Sequence, residues 1–143
     1  MKNNWKEQLF TLYSRIPSIP CTQCHQCCGP ILWFYPEELC IQEYLQQRNI
    51  QYLQWTTKEF HDHDMKCPYL QQNHCVIYPI RPLICRLQGV ISALPCPYQP
   101  SYLLPEEQWA QLKLDFEHFL KENNCFGMIF GTKKYVDDEI LFV

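Results

Sequence analysis

Glycine and alanine are scarce: four Gly and two Ala in 143 residues. No G-x-G-x-x-G is present, so nothing suggests a nucleotide-type cofactor site. Basic clusters are lacking too. Lys133-Lys134 is the sole basic pair and the formal charge is −3, which argues against a general nucleic-acid binder, whose phosphate affinity rests on Lys and Arg. Long apolar runs are missing as well. Ile31-Leu32-Trp33-Phe34-Tyr35 falls far short of the roughly 20 residues that cross a bilayer, so no membrane span is expected. At the N-terminus, Lys6, Glu7 and Gln8 interrupt the place where a secretory signal needs about 7–15 apolar residues. The chain thus reads as soluble and cytoplasmic. No internal repeat or low-complexity linker divides it, and its length suits a single domain over 1–143.

What the chain has in excess is cysteine: ten, beside eleven prolines. Hydrophobic residues make up 47% with the cysteines included, but only 57 residues, about 40%, without them. Twenty-one aromatics argue against disorder. In a reducing compartment, clustered cysteines point to metal binding or catalysis rather than disulfides.

Periodicity gives a mainly α reading. Trp5, Leu9, Leu12 and Ile16 mark a helix over 3–15, which Asn3 or Asn4 can cap. Pro36-Glu37-Glu38 opens a second helix to about Arg48, with Leu39, Cys40, Glu43, Tyr44 and Gln47 setting its period. Residues 49–66 read as irregular with one short helical turn. Residues 67–100, with four cysteines and six prolines, allow a short helix over Pro82–Leu87. Pro105-Glu106-Glu107 starts the clearest amphipathic helix, carrying Trp109, Leu112, Phe116, Phe119 and Leu120 and ending near Asn123-Asn124. The tail is expected to form a short hairpin through Gly131. The architecture expected is a small domain of helices around a loop-rich, cysteine-ligated metal centre.

Cys21-Thr-Gln-Cys24-His-Gln-Cys27-Cys28 is the strongest motif. Two intervening residues let a tight turn bring two sulfurs onto one metal, and successive x-x spacing also supplies ligands to iron–sulfur cubanes. Cys67, Cys75, Cys85 and Cys96 provide the further ligands that a closed four-coordinate site requires. Eight thiolates divide evenly into two four-sulfur sites. The arrangement preferred is Cys21, Cys24 and Cys27 with one distant cysteine, and Cys28 with the other three. Cys40 and Cys125 are left over and read as small buried hydrophobes.

Cys21-x-x-Cys24-x-x-Cys27-Cys28, Cys67-Pro68-Tyr69-Leu70 and Cys75-Val-Ile-Tyr78-x-x-Arg81-Pro82-x-x-Cys85-Arg86 together resemble the YkgJ-type CxxCxxCC cysteine-cluster family, over about residues 21–96. The resemblance implies chelation of zinc or iron by Cys21, Cys24, Cys27, Cys28, Cys67, Cys75 and Cys85, with Cys96 a less fixed member. It implies no catalytic residues, and no serine–histidine–acid pattern emerges from the sequence.

Eight thiolates holding two zinc ions carry a net charge of about −4, as would two oxidised four-iron clusters, so nearby cations are expected. Arg81 and Arg86 flank Cys85 and Lys66 precedes Cys67; these are expected to face the sulfurs, and Tyr78 and Pro82 to shape the loop. His25 and His74 each neighbour a cysteine but are not needed beside eight thiols. His61-Asp62-His63-Asp64 reads as a solvated loop and His118 as helix surface. The function expected is a metal-binding protein, whose metal is zinc or iron at one or two centres. The alternative is a 4Fe-4S redox or electron-transfer protein. A thiol–disulfide enzyme is disfavoured, because no thioredoxin-like pattern surrounds the motif.

Overall fold

The computed structural model describes residues 1–19, 26–98 and 103–134. Its α-helices are α1 (Trp5–Ser14), α2 (Tyr35–Gln47), α3 (Thr57–Asp62), α4 (Leu83–Leu87) and α5 (Glu106–Glu122), with a 3₁₀ turn at Tyr78–Ile80. Four short strands, β1 (Leu32–Phe34), β2 (Leu70–Gln71), β3 (His74–Cys75) and β4 (Ile129–Gly131), form two antiparallel pairs. The mainly helical reading holds.

Apolar burial divides into two clusters. One joins Leu9 and Leu12 of α1, Leu83 and Leu87 of α4, and Leu112, Phe116, Phe119 and Leu120 of α5. The other gathers Trp33, Ile41, Leu45, Tyr69 and Ile77. Ile80 packs against both. Each fully buried Leu, Ile or Phe contributes about 1.5–3 kcal/mol relative to exposure.

Local chemistry explains the helix boundaries, with corrections. Asn4 occupies the N-cap of α1 but its side chain makes no cap bond, because its backbone (φ −101°, ψ 22°) is not the extended form that caps adopt. The chain start is tied down instead by Lys2, whose backbone N–H donates to Asn123 Oδ1 at 2.9 Å. In α2, Pro36 lies in the first turn and Glu37 accepts a bond from the Phe34 N–H at 3.1 Å, closing the helix entry. Its buried stripe differs from the expected one. Glu43 and Gln47 are exposed, whereas Glu37, Glu38, Ile41 and Leu45 join Cys40 inside, because the two carboxylates find donors there. The helical turn expected within 49–66 is α3. Its start is a reciprocal cap: Thr56 Oγ1 accepts from the Glu59 N–H, and Glu59 accepts from the Thr56 N–H, both at 3.1 Å.

The hairpin expected through Gly131 takes another form. Its outer arm, 135–143, lies outside the described residues. The inner arm, β4, pairs with the distant β1 in the register Leu32–Gly131, Trp33–Phe130 and Phe34–Ile129. Glycine permits this, since a Cβ at position 131 would stand 2.2 Å from the Ile31 carbonyl oxygen. The buried Thr132 accepts from the Ile31 N–H at 3.1 Å, and the Trp55 N–H donates to the Thr132 carbonyl at 2.7 Å. Residues 129–134 therefore clasp the segment that follows Cys27 and Cys28.

Candidate metal centre

Three short devices carry cysteines to one place. Cys67 and Cys75 bracket the β2–β3 hairpin, in which Gln72 and Asn73 both take left-handed backbone angles (φ 53° and 59°), as a two-residue type I′ turn requires. Leu70 pairs with Cys75 across the ladder, and the Leu70 N–H donates to the Cys67 carbonyl at 3.0 Å. Cys85 sits in α4, whose first turn closes when its N–H donates to the Pro82 carbonyl at 3.1 Å. Cys96 reaches the same region past Gly89, which adopts φ +80° and has no room for a side chain. A Cβ there would lie 2.9 Å from Cys96 Cβ and 2.7 Å from Ile19 Cδ1.

The result is one cavity of about 420 Å³ at the junction of the two apolar clusters. Cys27, Cys28, Cys67, Cys75, Cys85 and Cys96 all line it, none of them in a disulfide among the described residues. Cys40 and Cys125 do not line it. They are buried in the larger apolar cluster, where Cys125 Sγ donates to the Leu120 carbonyl at 3.4 Å. Cys21, Cys24 and His25 lie outside the described residues. Among the described residues, no three His, Cys, Asp or Glu side chains converge closely enough to hold an ion by themselves.

The sulfurs sense one another. The Cys28 thiol donates to Cys27, which draws the Cys27 pKa down to about 6 with help from Lys66, and pushes that of Cys28 far up. Burial raises Cys67 to about 11, with the Cys75 sulfur adding to the effect. Burial also pushes Cys85 well up, and Cys67, Cys75 and Cys27 add to it. Several thiolates are therefore mutually unfavourable without a cation among them.

The motif arginines line the cavity too. Arg86 donates through Nε to the Arg81 carbonyl at 2.7 Å, and its guanidinium carbon lies 4.0 Å from the Tyr13 ring centroid. Arg81 precedes Pro82 and is accordingly extended (ψ 138°). Its guanidinium carbon lies 3.8 Å from the Tyr78 ring centroid. The Arg81 Nε is buried without a hydrogen-bond partner among the described residues. An unmade bond of this kind costs about 1–3 kcal/mol, and more for a charged group. Both arginines were expected beside the sulfurs and both line the cavity, but Arg86, which is half-buried, spends its Nε on the loop backbone.

Of the described histidines, only the exposed His74 lines the cavity. His63 stacks on Trp55 with ring centroids 4.3 Å apart and bonds the Glu59 carbonyl at 2.8 Å. His118 is exposed and lies 3.3 Å from Glu122.

Sequence reasoning missed the buried carboxylates behind the cavity. Glu37 accepts from the Tyr13 hydroxyl, the Leu83 N–H and the Phe34 N–H, joining α1, α2 and α4. Glu38 accepts from Trp33 Nε1 at 2.9 Å and from the Tyr52 hydroxyl at 3.2 Å. Both were read as helix-start acids. No local signal marked them, because their side-chain donors Tyr13, Trp33 and Tyr52 come from outside the helix.

Six cysteines line this cavity beside two guanidinium groups and an unsatisfied N–H, a donor set whose chemistry suits a thiophilic cation, while no three of them converge on one point among the described residues. The chain belongs to the CxxCxxCC family, described as a "putative zinc- or iron-chelating domain", whose model matches residues 20–114. No curated protein and no solved structure matches the chain at a significant level.

Proposed function

We propose that this protein is a metal-binding protein, one domain over 1–143 that chelates zinc or iron within about residues 21–96. The proposed ligands are Cys21, Cys24, Cys27, Cys28, Cys67, Cys75, Cys85 and Cys96, at one or two centres. The observation that carries this reading is the gathering of six of the eight around one cavity, while the two cysteines assigned no metal lie in the apolar core. Clustered cysteines suit metal binding in a reducing compartment, and we place the protein in the cytoplasm. Among the described residues no helix is long and apolar enough to cross a membrane. Partners on this reading are metal ions, with no nucleic acid and no membrane.

When bound, zinc would cross-link the segments through its four thiolate bonds, and iron would add redox capacity. The residues' part is to hold thiolates in register: the β2–β3 hairpin returns Cys75 to Leu70, three residues after Cys67, α4 presents Cys85, and Gly89 makes room for Cys96. A second reading, an iron–sulfur redox protein, draws on the ferredoxin-like spacing of Cys21, Cys24 and Cys27.

Serine substitution tests the ligand assignment. Cys24→Ser and Cys85→Ser are expected to lose bound metal, measured by elemental mass spectrometry on protein purified without oxygen. Cys40→Ser and Cys125→Ser are expected to keep it. Equal retention in all four variants would refute the split between ligands and core thiols.

A further inference from the structure

We propose that Arg81 is the donor that binds the sulfur centre directly, its Nε–H directed to a metal-bound thiolate, and that Arg86 is the strut that holds Arg81 in place. This inference rests on the metal-binding reading of the same cavity.

The two motif arginines have different free valences. Arg86 uses its Nε on the Arg81 carbonyl and brings its terminal nitrogen within 3.4 Å of the Pro79 carbonyl, so it grips the loop backbone. Its guanidinium rests on Tyr13, on the side of α1. Arg81 is held by this grip at its own carbonyl and by stacking on Tyr78, and Pro82 restricts its backbone. Its Nε–H is the one buried side-chain nitrogen or oxygen without a partner among the described residues.

The walls narrow the choice of acceptor. No Asp or Glu lines the cavity; its anion-forming groups are the cysteine thiols and the hydroxyls of Tyr13 and Tyr78. Burial and the neighbouring Glu37 hold Tyr13 protonated, and its hydroxyl proton is already donated to that carboxylate. Arg81 lies over the ring face of Tyr78, and the other polar side chains on the wall, Ser18, Asn73, His74 and Gln88, are neutral acceptors, so the thiols are the anionic acceptor chemistry that answers a guanidinium. A guanidinium suits it, because it stays charged at every working pH and presents N–H groups in a fixed plane. A bond from Arg81 to a coordinated thiolate would offset negative charge at the sulfur without admitting a carboxylate that competes for the metal.

The test uses the full chain, loaded without oxygen with Co(II), whose thiolate complexes show a ligand-to-metal charge-transfer band. A hydrogen bond to the sulfur raises the energy of that band. Arg81→Gln is expected to weaken Co(II) binding roughly 10–100-fold in chelator competition and to move the band to longer wavelength. Arg81→Lys keeps the charge but not the planar fork, so it should recover part of the affinity while leaving the band displaced. Arg86→Lys should displace the band less than Arg81→Gln. An Arg81→Gln protein with wild-type affinity and band overturns the assignment of Arg81 and leaves the metal reading standing. Wild-type protein with no thiolate–cobalt band overturns both. Should the Gln variant fail to fold by circular dichroism, Arg81→Lys decides: a band at the wild-type position shows that charge alone suffices and refutes the directed bond.

Discussion

Glu37 is the residue on which most of the local order behind the cavity depends. It is 1% exposed, and each of its three donors comes from a different part of the chain. Burial raises its pKa above the ordinary 4.5, although the Tyr13 hydroxyl, the two backbone donors and Arg86 pull the other way. The folded state thus holds this proton more tightly than the unfolded chain does. The contribution is complete below pH 4.5 and is lost as the pH rises through the folded-state value. Denaturant unfolding of metal-free protein across this range should show that slope, and Glu37→Gln should flatten it. The same substitution turns an NH₂ toward an N–H or O–H donor, so it should lower stability by roughly 1–3 kcal/mol. An unchanged slope in the variant would assign the pH dependence elsewhere. Pro36-Glu37-Glu38 was readable as a helix start, and it is one. The inward turn of both carboxylates was not readable, because it depends on Trp33, Tyr13 and Tyr52 arriving from other elements.

Helices with a strong apolar period emerged from the sequence with their boundaries nearly intact. α1, α4 and α5 lie within two residues of expectation, since Pro17, Pro82 and Pro105 bound or start them. Elements defined by one or two contacts were harder. The Thr56-x-x-Glu59 cap was a visible signature of α3 that the surrounding polar residues obscured. The β1–β4 pair could not be seen, because three-residue strands almost a hundred positions apart carry no periodicity of their own. Two predictions belong here. Thr56→Ala removes the reciprocal cap and should cost about 1 kcal/mol in chemical denaturation, with metal content unchanged. Gly131→Val forces a side chain against the Ile31 carbonyl and should cost about 1–3 kcal/mol or more, and it should also weaken metal binding, because the clasp borders Cys27 and Cys28. A Gly131→Val protein with wild-type melting temperature and metal affinity would show that the clasp does not support the site.

At the scale of the whole molecule, two modest apolar clusters meet at a cavity walled by thiols rather than at a shared core. Ion pairs such as Arg15–Asp115 and Lys6–Glu43 tie α1 to α5 and α2, but they lie at the exposed surface. The eight proposed ligands were identifiable from spacing and motif. How six of them are gathered was not, since it depends on the I′ turn at Gln72-Asn73 and the bare backbone of Gly89. A structural zinc contributes on the order of 10 kcal/mol or more to folding, which is comparable to the whole stability of a small domain. Stripping the metal should therefore lower the melting temperature sharply and loosen 67–96, read as faster amide exchange there than in α5. The measurement that bears most directly on the central claim is the elemental content and visible spectrum of protein purified without oxygen. The expected result is one or two equivalents of zinc or iron per chain: a colourless protein with zinc, or a brown one with acid-labile sulfide absorbing near ~400 nm if the centre is an iron–sulfur cluster. Protein that holds neither metal and whose thiols react only after reduction would contradict it.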